Sequence, residues 1–155
     1  MRWKVASLAG IALSCLIGVF IGTGTFTFVT AEGHSYFSSD PTACLNCHIM
    51  RDPFDSWVKS SHHTAAVCND CHLAPGPVAQ WISKADNGFR HSWAFTFQDF
   101  HEPIQMHPRG EAALQANCLR CHAEFVSEIT HHAPSDDATV NCVRCHDQVG
   151  HAGHR

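Results

Sequence analysis

Residues 44–50 read CLNCHIM, and the pattern of the first five, Cys-x-x-Cys-His, recurs as CNDCH at 68–72, CLRCH at 118–122 and CVRCH at 142–146. Paired cysteines at this spacing also occur in zinc ribbons and redox dithiols. Neither requires a histidine directly after the second cysteine. Four such histidines in four pairs assign the pattern to covalent c-type haem. Two thioether bonds per motif, from Cys44 and Cys47, Cys68 and Cys71, Cys118 and Cys121, and Cys142 and Cys145, would fix a porphyrin edge to the chain. The adjoining histidine then lies under the ring, within reach of the iron. Eight of the nine cysteines are used in this way, so the disulfide framework usual in a small cysteine-rich exported chain is not expected.

The first cysteines of motifs one and two, and of motifs three and four, stand 24 residues apart. The chain therefore carries two two-haem units, separated by a motif-free stretch, 73–117. Residues 32–155 offer roughly 31 residues per haem, too few to bury much apolar surface by themselves. The expected fold is mainly α with much irregular loop. It has one N-terminal transmembrane helix and a small multihaem cytochrome c domain whose short helices pack around four haems. Charged residues are 15% of the chain and the net charge is −4. No basic patch points to nucleic acid, and haem propionates would make the loaded protein more acidic still.

Val5 to Ala31 carries no charge. As a helix this run reaches about 40 Å, beyond the hydrocarbon core of a bilayer. A cleaved signal peptide ending at Val29-Thr30-Ala31 would have an apolar region about twice the usual length. A lipoprotein modified at Cys15 would not need the apolar residues that follow it. The run is read as an anchor in the lipid bilayer, with Cys15 a small apolar residue within it. Arg2 and Lys4 place the N-terminus in the cytoplasm. Residues 1–31 are then the tip and anchor, and 32–155 a haem domain in the periplasm, outside the inner membrane of a Gram-negative cell.

After Pro75-Gly76-Pro77, which blocks one helix and permits another, Val78, Trp81, Ile82, Ala85, Phe89 and Trp93 recur at spacings of three and four. They share one helical face. Gln80, Lys84, Asn87 and His91 share the opposite one, and Asp86 flanks the apolar side. Two readings follow: a helix packing its apolar face on haem, or a helix at the membrane surface whose polar side chains meet a quinol.

His48, His72, His122 and His146 are the motif histidines. Ten more, at 34, 62, 63, 91, 101, 107, 131, 132, 151 and 154, form a pool for the distal positions. Bis-histidine ligation gives electron carriers with no open site. Met50 lies two residues beyond His48, on the same side of the tethered ring. Only one of the two can serve that face of the iron, and spacing alone assigns it to His48.

The stretches SSDPTACLNCHIM, SSHHTAAVCNDCHLAPG, ISKADNGFRHSWAF, ANCLRCH and NCVRCHDQVGH together resemble the NapC/NirT-type membrane-anchored quinol dehydrogenases. Within that family they are most similar to the branch supplying small subunits to cytochrome c nitrite reductase. The resemblance covers nearly the whole chain. It implies that the first haem is bound through Met50, with His48 left unligated. It also implies that His72, His122 and His146 are proximal ligands, His63 is the distal ligand of the third haem, and His151 that of the second. The sixth ligand of the fourth haem would be a lysine from the partner enzyme. The family's quinol-site lysine and aspartate fall on Gln80 and Asn87 here, which supply neither a cation nor a base. Asp86, with Lys84 nearby, is the available substitute, because quinol oxidation releases two protons and needs an acceptor.

The function implied is oxidation of menaquinol and delivery of electrons to a periplasmic pentahaem nitrite reductase that makes ammonium. The chain would be the quinol-oxidising electron-transfer subunit, without a nitrite-reducing site of its own. Three other readings are an electron donor to a different periplasmic reductase, a haem wire fed by a protein in place of quinol, and catalysis or gas binding at an open first haem.

Overall fold

The computed structural model describes the backbone of residues 2–131 and 141–151, and side chains over 7–128 and 141–151. The side chain of His131, and all of His132 and His154, lie outside the described residues. Among the described residues every regular element is helical: α1 Arg2–Thr30, α2 Arg51–Val58, α3 Cys68–His72, α4 Pro77–Phe97, α5 Pro108–His131 and α6 Cys142–Cys145, with short 3-10 turns at Gly33–Phe37, Pro41–Asn46 and His48–Met50. The mainly helical expectation is borne out.

Two compact units are present, Met1–Ser38 and Ser39–Arg155. In the first, Ser7–Thr30 has a mean hydropathy of 1.9 and is long and apolar enough to cross a membrane. Two of its hydroxyls bond carbonyls within the helix. Ser14 Oγ donates to Gly10 O at 2.9 Å and Thr23 Oγ1 to Val19 O at 2.7 Å, which spares them a partner in lipid. The unit extends past the expected boundary at Ala31 because the Gly33–Phe37 turn folds back on the helix end. A Cβ at Gly33 would come within 2.5 Å of the Phe28 ring.

In the second unit the interior supplied by the protein itself is very small. Leu73 and Ala113 are its buried apolar side chains among the described residues, with Lys84 and Asn117 the buried polar ones. Leu73 follows α3, and Ala113 and Asn117 share one face of α5 four residues apart, so among the described residues the core lies at the α3–α5 contact. So small an interior is what short helices arranged around prosthetic groups leave.

Helix α4 starts where Pro75-Gly76-Pro77 predicts. Pro77 is its first residue, and Gly76, at φ 95°, turns the chain into it. A Cβ at Gly76 would touch nothing, so the obstacle to substitution is backbone conformation alone. Gly76→Ala is expected to cost roughly 1–2 kcal/mol. Thermal unfolding of the haem-loaded protein checks it, and an unchanged midpoint would show that the loop relaxes freely.

Candidate functional site

The four Cys-x-x-Cys-His segments converge. Cys44 and Cys68, the first cysteines of motifs one and two, share a sulfur hydrogen bond, as do Cys118 and Cys142 of motifs three and four. Cys71 stands close enough to Cys121 to feel its charge. The thioether positions thus form one continuous path, motif one to two to three to four.

The imidazoles pair across this path. The His72 and His151 rings lie 5.9 Å apart, centre to centre, with planes 9° from parallel. The His122 and His62 rings lie 6.0 Å apart at 71°. Two imidazoles bound to one metal ion at about 2 Å each place their ring centres about 6 Å apart. Burial first, and His151 second, push His72 down to about 4. It is neutral at ordinary pH and offers the lone pair a metal needs.

His62 is further prepared. Its Nδ1 is 3.1 Å from the Val149 carbonyl and 3.2 Å from Ser61 Oγ; the tautomer with its hydrogen on Nδ1, donating to that carbonyl, leaves the lone pair on Nε2 for a metal. A carbonyl behind the ring is the usual means of orienting a ligating histidine. His63, the residue the resemblance selects, is carried elsewhere: its ring packs edge-on against Trp57 at 4.8 Å. Trp57 in turn donates from Nε1 to Ala66 O at 3.2 Å. Adjacent residues point in different directions, and spacing from Cys68 could not separate them. The informative signal was the doublet His62-His63 itself.

Helix α5 ties three motifs together. Asn117, which directly precedes Cys118, donates from Nδ2 to Cys71 O at 3.0 Å and to Leu73 O at 2.7 Å. Gln115 bonds Cys142 twice, accepting from its N–H at 3.0 Å and donating to its Sγ at 3.2 Å. Arg120 donates to Asp70 O at 3.1 Å. Asn117 Oδ1 is buried with no partner among the described residues. The small interior, the two imidazole pairs and the converging thiols all fit bound haem.

The chain matches the NapC/NirT cytochrome c family, N-terminal region, over residues 4–154. It is a NapC/NirT-family cytochrome c. It is 35% identical over 149 residues to the cytochrome c-type protein NrfH of Wolinella succinogenes, covering 89% of this chain and 84% of that protein. It also resembles a chain in the crystal structure of the cytochrome c nitrite reductase NrfHA complex bound to the HQNO inhibitor. There the TM-score is 0.61 at 26% identity, with 88% of this chain and 90% of that one covered. As a family member it carries covalently bound c-type haems, and with α1 it is a single-pass membrane protein.

The remaining candidate positions of this NapC/NirT-family cytochrome divide between its helices. His48 and Met50 form one 3-10 turn, with His48 exposed and Met50 half-buried at the start of α2. His146 ends α6 exposed, and no other ring stands against it among the described residues. On α4 the apolar face is turned outward: Val78, Trp81, Ile82, Phe89 and Trp93 are each at least half exposed. Of the polar stripe, Gln80 and Asn87 are half-buried and Lys84 is only 8% exposed, its Nζ 5.2 Å from the Trp81 ring, while His91 is exposed.

Asp86, Asn87 and Ser83 line a cleft with His72 and Arg109, a wall from the second motif and not from Met50. Asp86 accepts from Arg90 Nε at 3.0 Å and lies 3.7 Å from Arg109. The Arg90 hydrogen bond, chiefly, holds its carboxyl below the usual range.

Proposed function

We propose that this cytochrome oxidises menaquinol at the membrane surface and passes the electrons to a periplasmic multihaem nitrite reductase that makes ammonium. The similarity to NrfH, and to a chain of the NrfHA complex, supports the acceptor. The inverted amphipathicity of α4 carries the quinol half. An exposed face of Trp, Phe, Ile and Val is stable in contact with acyl chains and unfavourable in water. The polar stripe beneath it then sits at the depth of a quinol headgroup.

The four Cys-x-x-Cys-His motifs are assigned four haems, which when bound carry electrons singly from quinol to acceptor. The chain's own residues set their surroundings. Met50 would hold the first iron, with His48 left in solvent, and a thioether ligand raises the potential relative to imidazole. His72 and His151 would hold the second, and His122 and His62 the third. The His62 assignment replaces His63, because His62 has both the facing ring and the carbonyl behind it. His146 would hold the fourth, with a lysine of the partner enzyme as the remaining ligand. Gln80 and Asn87 contribute neutral amides that bond quinol oxygens. Lys84, buried beside Trp81, would place its side-chain nitrogen near the developing negative oxygen. Asp86 is the proton acceptor, and its ion pairs keep it deprotonated and ready. Export to the periplasm follows from Arg2 and Lys4 at the cytoplasmic end of α1.

Since Asp86 sits below the ordinary carboxylate range, it stays ionised from about pH 5 to 8. The quinol-oxidation rate should show no acid limb from this group in that window. Arg90→Leu removes the main cause of the depression, moves the limb upward and slows the reaction at its acid end. Rate against pH for the two proteins in detergent decides it. A wild-type limb near pH 6 that disappears in Asp86→Asn would contradict the assignment.

A further inference from the structure

We propose that Asn117 and Gln115 are positioning residues through which α5, the carrier of the third haem motif, holds the second and fourth motifs and so fixes the spacing of successive haems. The inference deepens the electron-relay reading above and rests on it.

Residues two apart on a helix project to nearly opposite sides. Asn117 therefore reaches the second motif from one side of α5, while Gln115 reaches the fourth from the other. The two carbonyls that Asn117 engages, those of Cys71 and Leu73, flank His72 on both sides. Fixing both neighbours fixes the pitch of the imidazole between them. The amide can only stand as it does, because turning it over would set Oδ1 against two carbonyl oxygens. The arrangement carries a penalty: Asn117 is 5% exposed and its Oδ1 has no donor among the described residues. A buried leucine would pack without that cost. What asparagine supplies and leucine does not is the two-pronged donor.

Gln115 does the same for the fourth motif at a single residue. Its amide takes the N–H of Cys142 and donates to its sulfur. Sulfur remains a weak acceptor as a thioether, and the N–H bond does not depend on haem attachment. With Cys118 next to Asn117, one helical turn of α5 touches motifs two, three and four.

The test uses the full-length haem-loaded protein in detergent, with neither quinol nor acceptor present. Electron paramagnetic resonance at a series of poised potentials is recorded for wild type, Asn117→Ala, Gln115→Ala and His151→Ala. The last identifies the signal of the second haem. Asn117→Ala should leave haem content unchanged and shift the line and midpoint of that same signal alone. Gln115→Ala should shift a different one, that of the fourth haem. In both, electron redistribution among the haems after flash reduction should slow by about 10-fold. Unchanged lines, potentials and rates in both variants would overturn the proposal, as would identical shifts of all signals. If Asn117→Ala fails to load haem, Gln115→Ala decides, because Gln115 is only half-buried, and an unaltered fourth haem there refutes the clamp. A negative result leaves quinol oxidation untouched, since no quinol enters the experiment.

Discussion

His62→Ala converts one low-spin haem of the loaded protein to high spin, and His63→Ala leaves every haem low-spin. Two observations separate the neighbours. His62 faces His122 at 6.0 Å, with its Nδ1 3.1 Å from the Val149 carbonyl. His63 packs on Trp57. Removing His62 therefore takes away a ligand, whereas removing His63 takes away an aromatic contact worth about 1 kcal/mol. Absorbance in the charge-transfer region and binding of carbon monoxide to the reduced protein report the vacant position directly. Electron flow through the third haem should fall steeply in His62→Ala, because a change of spin state reorganises the iron at every transfer. The reverse pattern, high spin in His63→Ala only, would return the ligand role to His63.

Met50→Ala should abolish reduction by a menaquinol analogue, with a loss greater than about 100-fold, beyond what outer-shell substitutions cause. His48→Ala should reduce it little. Both proteins keep Cys44 and Cys47 and should retain the same haem content. The half-buried position of Met50 at the start of α2, beside an exposed His48, favours this polarity. Rapid mixing with the analogue, followed by haem absorbance, gives the comparison in one experiment. Loss in His48→Ala with Met50→Ala active would assign the first iron to histidine. A fully loaded wild type that accepts no electrons from the analogue would leave a relay fed by another protein.

Which parts of this were legible in sequence follows from the range of the interactions involved. Haem attachment is local: Cys-x-x-Cys-His brings thioethers and ligand together within five residues, so the covalent sites needed no tertiary information. The anchor was equally legible, since an uncharged run long enough to span lipid is set by length and composition. The helix at 77–97 followed from Pro75-Gly76-Pro77 and from periodicity.

Which face of that helix points inward was not legible. Periodicity fixes two faces but not their surroundings, and Lys84 on the buried side reverses the usual expectation. The contact that distinguishes His62 from His63 is with Val149, 87 residues away. Asn117 and Gln115 act on carbonyls and an N–H across 46 and 27 residues, and backbone groups leave no mark in the sequence that engages them. The sequence by itself determined where haem is attached and what crosses the membrane, because those depend on neighbours along the chain. Only the tertiary structure decided which imidazoles face each other, which side of α4 meets the exterior and how one helix joins three motifs, because those depend on contacts between residues far apart in the chain.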